Sequence, residues 1–193
     1  HYGGAAAGGT LVNCVVTNNT GSRSGGGLYN SVARNCLIAY NRGAEPPPTG
    51  GGGGMFGGRA ENCTIVSNTA WRYDGYGNGG GVLNTVVSNC IVYFNRGTNA
   101  PVDNWYGGSF DFTCTLPMPG AGAGNITNDP LFAFMPTNNF RLLDGSPCIN
   151  TGTNQDWHAT GVDLDKGPRR KSGTVDMGAY EWYPRPGSLF VVR

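Results

Sequence analysis

The chain has 193 residues, including 34 glycines and 12 prolines, and its 13 basic and 12 acidic side chains leave a net charge of +1. This length suits one domain. The balanced charge excludes the basic surface that nucleic-acid binding needs, and no stretch approaches the roughly 20 apolar residues that cross a bilayer. Because the chain opens on His1 and is rich in Asn, Thr, Ser and Gly, we expect an exported, extracellular or cell-surface protein whose signal has been removed.

One pattern occurs four times in the first hundred residues: a glycine run, a short apolar link, Asn-Cys, and another Asn five positions after the Cys. The cysteines are Cys14, Cys36, Cys63 and Cys90, which are 22, 27 and 27 residues apart. A repeat this short cannot bury its apolar face alone, so the copies must stack. β-Branched residues dominate and no helical period is present. The sequence therefore predicts an all-β parallel β-helix, a β-solenoid of about five coils.

The cysteines are expected to point inward together with the residue two positions later, because side chains alternate along a strand. Cys114, which lies 24 residues after Cys90, is expected to continue the file. In-register thiols point parallel to one another, which favours a buried stack over disulfides, and ligands spread along an axis do not suit a metal. Cys148 lies outside the repeat and has two interpretations, a disulfide with Cys114 or a core residue of a C-terminal cap.

Two asparagine columns follow from the same spacing. The first falls at one corner, where Asn tolerates a left-handed backbone and its amide can bond the Asn of the next coil. Its members are Asn19, Asn41, Asn68 and Asn95. The second column precedes the strand and is interpreted as turn chemistry only. Its members are Asn13, Asn35, Asn62 and Asn89.

Insertions between coils are where solenoids usually bind other molecules. Two of them supply the candidate ligand or interface residues Trp71, Arg72, Tyr73, Asp74, Tyr76, Asn104, Trp105 and Tyr106. These residues suit a stacking platform for sugars, a protein interface, or simple cover for the coil. Asp74 and Asp103 could approach each other on adjacent coils, which is the one pairing that suits a polysaccharide lyase or hydrolase.

Beyond residue 120 the repeat gives way to four ordered motifs. They are Asp129-Pro130-Leu131-Phe132, Ser146-Pro147-Cys148-Ile149-Asn150, the stretch from Asp163 to Arg169, and the stretch from Asp176 to Glu181. Together with the Asn-Cys-Thr-Ile coils, this order closely resembles right-handed parallel β-helix repeat proteins of bacterial cell surfaces, including those with a choice-of-anchor domain. The resemblance covers nearly the whole chain. It implies a right-handed coil and an exported adhesive or scaffolding role, although the fold also hosts polysaccharide lyases and hydrolases.

An acidic cluster, Asp163, Asp165, Asp176 and Glu181, gives a calcium site as an alternative. Lys166-Gly167 stands where the resembled proteins usually have Gly-Asn, which counts against a tight calcium loop. Arg169 and Arg170 could instead pair with these carboxylates and pin the terminal segment over the last coil. We expect no cofactor.

The chain divides into coils over residues 1–120 and a C-terminal capping segment and tail over 121–193, packed on the same solenoid. No polar cap precedes the first coil at Tyr2. The tail could add as a strand to a neighbouring subunit through Leu189, Phe190, Val191 and Val192. Our main hypothesis is a non-enzymatic structural or adhesive solenoid that self-associates head-to-tail into a filament or surface lattice. A module binding cell-surface glycans and a polysaccharide-degrading β-helix are the alternatives.

Overall fold

The structure, a computed structural model, describes residues 2–45, 51–72, 78–97, 103–170 and 173–184, with the side chains at 45 and 72 left out of the description. Two 3-10 turns, Met135–Thr137 and Asp156–Ala159, are the helical elements within these ranges. All other regular structure described is β-strand.

Each of five coils adds one strand to each of three parallel sheets. Sheet A consists of β1 (Ala6–Ala7), β5 (Leu28–Tyr29), β9 (Met55–Phe56), β13 (Val82–Leu83) and β16 (Trp105–Tyr106). Sheet B consists of β2 (Thr10–Val12), β6 (Val32–Arg34), β10 (Arg59–Glu61), β14 (Val86–Ser88) and β17 (Ser109–Asp111). Sheet C consists of β3 (Val15–Thr17), β7 (Leu37–Ala39), β11 (Thr64–Val66), β15 (Ile91–Tyr93) and β18 (Cys114–Thr115). The predicted all-β parallel solenoid is confirmed at this level, and its handedness stays a prediction.

Two smaller sheets complete the fold. Sheet D is parallel and holds β4 (Thr20–Gly21), β8 (Arg42–Glu45) and β12 (Thr69–Arg72), at the corner from which the insertions leave the coil. β19 (Phe132–Phe134) and β20 (Asn139–Leu142) form an antiparallel pair in the C-terminal region. The glycine runs pass so close to sheet D that a Cβ atom added at Gly53 would collide with the backbone of Thr69. Glycine is therefore required there, because two backbones touch without side chains between them.

The solenoid core is a narrow file of residues from the inner faces of sheets A, B and C. Its central members, such as Leu28, Ile38 and Ile65, are fully buried. Cys36, Cys63 and Cys90 lie in the same core, and Cys14 is partly buried against it. Every described cysteine is a free thiol. These thiols fill space as small apolar groups.

Cys114 does not continue this file, contrary to expectation. The strand register pairs Cys114 with Ile91, so Thr113 takes the position that follows Cys90. Thr113 Oγ1 donates to the carbonyl of Asp111 at 3.0 Å, as Cys90 Sγ does to the carbonyl of Ser88. Because the last coil is one residue shorter than the spacing suggested, Cys114 faces outward from sheet C. There it is buried with Cys148 in a second apolar cluster, and neither forms a disulfide.

The first asparagine column forms a continuous ladder. The backbone N–H and Nδ2 of Asn41 both donate to Oδ1 of Asn68, at 2.9 and 3.0 Å, and Asn68 donates in the same way to Asn95. The left-handed backbone lies one residue earlier than expected, as at Tyr40 with φ 57°. Asparagines of the second column also adopt it, including Asn62 with φ 48°.

The C-terminal region lies along the side of the solenoid and does not sit only over its last coil. Apolar side chains from this region, including Phe140, Cys148 and Met177, pack on the outer face of sheet C. Val66 and Ile91 on that face are therefore buried although they point away from the solenoid core. The protein thus has two cores that share sheet C as a common wall.

Candidate functional site

The second asparagine column holds the C-terminal region in place. Asn89 accepts a hydrogen bond from the backbone N–H of Thr153 at 2.7 Å and donates to its carbonyl at 2.9 Å. Asn62 Oδ1 lies 2.9 Å from His158 Nε2, and Asn35 Nδ2 donates to the carbonyl of Val162 at 2.8 Å. These amides copy the pairing of a peptide group. The column is therefore a docking rail, and its interpretation as turn chemistry alone is wrong.

The acidic residues of this region bind protein groups. The fully buried guanidinium of Arg169 lies 3.1 Å from Glu181 and donates to the carbonyls of Asp176 and Gly178. Asp176 accepts from the backbone N–H of Asn150 at 2.7 Å, and Asp163 accepts from that of Gly167 at 2.8 Å. Each carboxylate already has donors, which is how buried charges are stabilised.

Asp165 stands apart from this cluster, since it forms an exposed ion pair with Arg141. Among the residues that the structure describes, no group of three or more His, Cys, Asp or Glu side chains is arranged to hold a metal ion. The calcium alternative therefore gains no support. The arginine pairing expected for this segment is made by Arg169, and it anchors the segment beside the second coil through Asn35, 3.2 Å away.

Burial changes the protonation of two groups on this rail. It lowers the pKa of His158 to about 4, and the charge of Arg169 adds to the effect. The neutral ring suits its bonds, because Nδ1 accepts from the backbone N–H of Gln155 at 2.9 Å while Nε2 donates to Asn62. Burial also raises the pKa of Glu181 to about 8, although Arg169 opposes the shift.

The structure does not gather the aromatic loop residues into one platform. Trp71 is 41% exposed, and the guanidinium of Arg42 lies 5.3 Å from the centre of its ring. Trp105 turns inward onto Phe110, with ring centres 5.1 Å apart, and Tyr106 points outward. Tyr73, Asp74, Tyr76 and the side chain of Arg72 lie outside the described residues.

Asn104 is not a surface partner, as the sequence suggested. It is buried and extends the asparagine ladder, because its Oδ1 accepts from both Nδ2 and the backbone N–H of Asn95. Its own Nδ2 donates to the carbonyl of Leu116 at 2.8 Å and ends the ladder. The insertion between the two residues hides this continuity in the sequence.

A row of aromatic side chains on the outer face of sheet A was not predicted. The rings of Tyr2 and Tyr29 lie 4.6 Å apart, and those of Tyr29 and Phe56 lie 5.3 Å apart. The register continues the row through Leu83 to Tyr106. Its signal in the sequence is the second residue after each glycine run, which is outward-facing and large. Stacked in this way, the rings mainly shield one another.

A groove of about 530 Å³ lies between β20 and residues 181–184, with Asp144, Asp165 and Trp182 among its lining residues. Asp165 is committed to Arg141. Of the carboxylate pair suggested for a polysaccharide-degrading enzyme, Asp103 accepts from the backbone N–H of Gly79 at 3.0 Å and Asp74 is outside the described residues. Burial raises the pKa of Asp103. The enzymatic alternative stays a prediction.

The C-terminal end of the coil stack is closed. Residues 116–128 lie across it, where the backbone N–H of Phe112 donates to the carbonyl of Ala123 and that of Thr115 donates to Ile126. Trp105 and Phe110, the largest inward side chains of their rows, fill the end of the core. Trp105 Nε1 donates to the carbonyl of Pro117, which fixes the cover in place.

The N-terminal end is open. β1, β2, β3 and β4 are each the edge strand of their sheet, and they all belong to the first coil. Leu11 and Cys14 are only partly buried there, whereas their counterparts Ala33 and Cys36 in the next coil are fully buried. Because hydrogen bonds alternate along a parallel strand, and Asn13 and Val32 bond within the first pair of coils, the N–H groups of Thr10 and Val12 point away from the stack.

The open edge has no protective chemistry. Positions 2–22 contain no Asp, Glu, Lys, Arg, His or Pro. Natural edge strands usually carry charges or proline, which prevent pairing with other chains. The ladder is also unfinished at this end, because Asn19 donates to Asn41 while no described residue donates to Asn19 Oδ1. Among the described parts of the molecule, this first coil is the candidate interaction surface.

Comparison with known proteins gave no match to a family model, to a curated protein or to a solved structure. Within the described residues, no helix has the length and apolar character needed to span a membrane.

Proposed function

We propose that this protein is a non-enzymatic structural module of an extracellular or cell-surface assembly, which joins other β-structure through the first coil of its solenoid. The observation that carries the proposal is the difference between the ends of the stack. The last coil is bonded to residues 116–128, whereas the first presents its strand edges without charge. Pairing along such edges is a common route of protein association.

The covered end narrows the head-to-tail hypothesis. A neighbour cannot simply continue the coil at the C-terminal side, since the cover already bonds Phe112, Thr115 and Trp105. The association that remains uses the first coil of at least one partner. The tail residues Leu189, Phe190, Val191 and Val192, proposed from the sequence as an added strand, lie outside the described residues.

The glycan-binding alternative has less support. Trp71 and Tyr106 are exposed, but Trp105 and Asn104, which would have completed the platform, serve the closed end and the ladder.

A matched pair of substitutions tests the proposal. Val12 and Val86 both lie on sheet B, are 48% and 41% exposed, and each has an arginine opposite it in a neighbouring coil, Arg34 and Arg59. Val12→Glu places a charge at the open edge, and Val86→Glu places one in the middle of the stack. By analytical ultracentrifugation we expect the unmodified protein to gain mass with concentration, Val12→Glu to associate about tenfold more weakly, and Val86→Glu to match the unmodified protein.

Two results would overturn the proposal. One is a strictly monomeric protein at the highest concentration reached. The other is an equal loss of association in Val12→Glu and Val86→Glu, which would show that the open edge is not involved.

A further inference from the structure

Building on the proposed function, we infer that the partner at the open edge is the first coil of a second copy, bound around a twofold axis. The product is a closed dimer and not a growing filament. In this arrangement β2 lies antiparallel to β2 of the other copy, and β1 faces β3 of that copy on either side of the axis.

Complementarity supports a second copy. An edge strand offers N–H and C=O groups in alternation, so it can bond to another edge in either direction. The first coil offers such edges on all three main sheets at once, through Thr10–Val12 and its neighbouring strands. The same surface is absent from the other end of the molecule, where residues 116–128 occupy the edges. A copy of this chain therefore has one face suited to the first coil, and that face is the first coil itself.

Charge supports the same choice. A twofold contact places every residue near its own counterpart, so a charged face repels itself. Positions 2–22 carry no charged residue, which removes this penalty. Val12 and Val15, with 48% and 59% of their surface exposed, supply apolar area beside the edges. Twofold contacts of this self-complementary kind are the commonest in homo-oligomers, and they close after two subunits.

Spin labels on two coils of sheet B distinguish the twofold dimer from a head-to-tail chain. Val86→Cys lies on the fourth coil and Ser109→Cys on the fifth, paired to each other in register, and both positions are exposed. Cys14→Ala in each variant removes a native thiol that is only partly buried. Because coils stack about 4.8 Å apart, a twofold contact separates the two Val86→Cys labels by about 34 Å and the two Ser109→Cys labels by about 43 Å.

A head-to-tail chain repeats by translation along the stack, so both labels would give the same distance between neighbouring copies. Pulsed electron–electron double resonance measures these distances in frozen solution. Two distances that differ by about 10 Å support the twofold contact. Equal distances overturn it while leaving the proposed association intact, and a protein that never exceeds monomer mass overturns both.

Discussion

The first and the last coil of this solenoid have the same plan but opposite ends. Each adds one short strand to sheets A, B and C. In the last coil, Trp105 and Phe110 fill the core and residues 116–128 take up the backbone groups of the edge. In the first coil, smaller residues such as Ala6 and Leu11 leave the core partly exposed. The comparison teaches that closure of a solenoid requires both a bulky core residue and a bonded cover, and only one end has them.

The largest expected effect comes from removing apolar side chains at equivalent positions of the two ends. Phe110 and Leu11 occupy the same inward row of sheet B, but Phe110 is 3% exposed and Leu11 is only partly buried. Phe110→Ala should lower the free energy of unfolding by about 3–5 kcal/mol. Leu11→Ala should lower it by roughly 1 kcal/mol, since less apolar surface is lost from the interior. Denaturant titration at low protein concentration, where association does not contribute, measures both.

Equal losses in these two variants would contradict the comparison. They would mean that the first coil is buried as deeply as the last in solution. Val87→Ala, in the same row and 1% exposed, is the internal control, and its loss should resemble that of a fully buried site.

A smaller effect is expected from pH, and it should separate the covered side from the open end. The pKa of His158 falls in the folded state from 6.5 to about 4, so its stabilising contribution is present above 6.5 and is lost as the pH falls towards 4. The pKa of Glu181 rises from 4.5 to about 8, so its contribution is present below 4.5 and is lost as the pH rises towards 8. Stability should therefore peak between these limits.

Thermal unfolding from pH 4 to 8 tests this prediction. His158→Gln should flatten the acid side of the profile, and Glu181→Gln should flatten the alkaline side. Association through the first coil should not change over the same range while the fold persists, because positions 2–22 contain no His, Asp, Glu, Lys or Arg. A steep pH dependence of association alone would place the contact elsewhere.

Sequence reasoning predicted the stack of parallel strands because the repeat fixes it. Each coil repeats the same inward positions, and the Cys63 to Cys90 spacing equals the shift between paired strands. It failed for Cys114, because a last coil shorter by one residue moves every side chain to the other face. Inward and outward positions could be assigned only where the register was known.

The position of the C-terminal region could not be predicted for a different reason. Asn62 and Asn89 have the local chemistry of a turn whether or not anything binds them. Their partners, His158 and Thr153, are 96 and 64 residues away, and no periodic pattern connects them. The open end was easier to anticipate, since the absence of charge from positions 2–22 is visible in the sequence alone.

Hydrogen–deuterium exchange at low and high protein concentration tests most directly that the first coil is the association surface. Its backbone amides at Thr10 and Val12, which point away from the stack, should become protected as concentration rises. The amides of Phe112 and Thr115, already bonded to Ala123 and Ile126, should show the same protection at both concentrations. Exchange in the first coil that does not depend on concentration, or added protection confined to residues 112–115, would contradict the account.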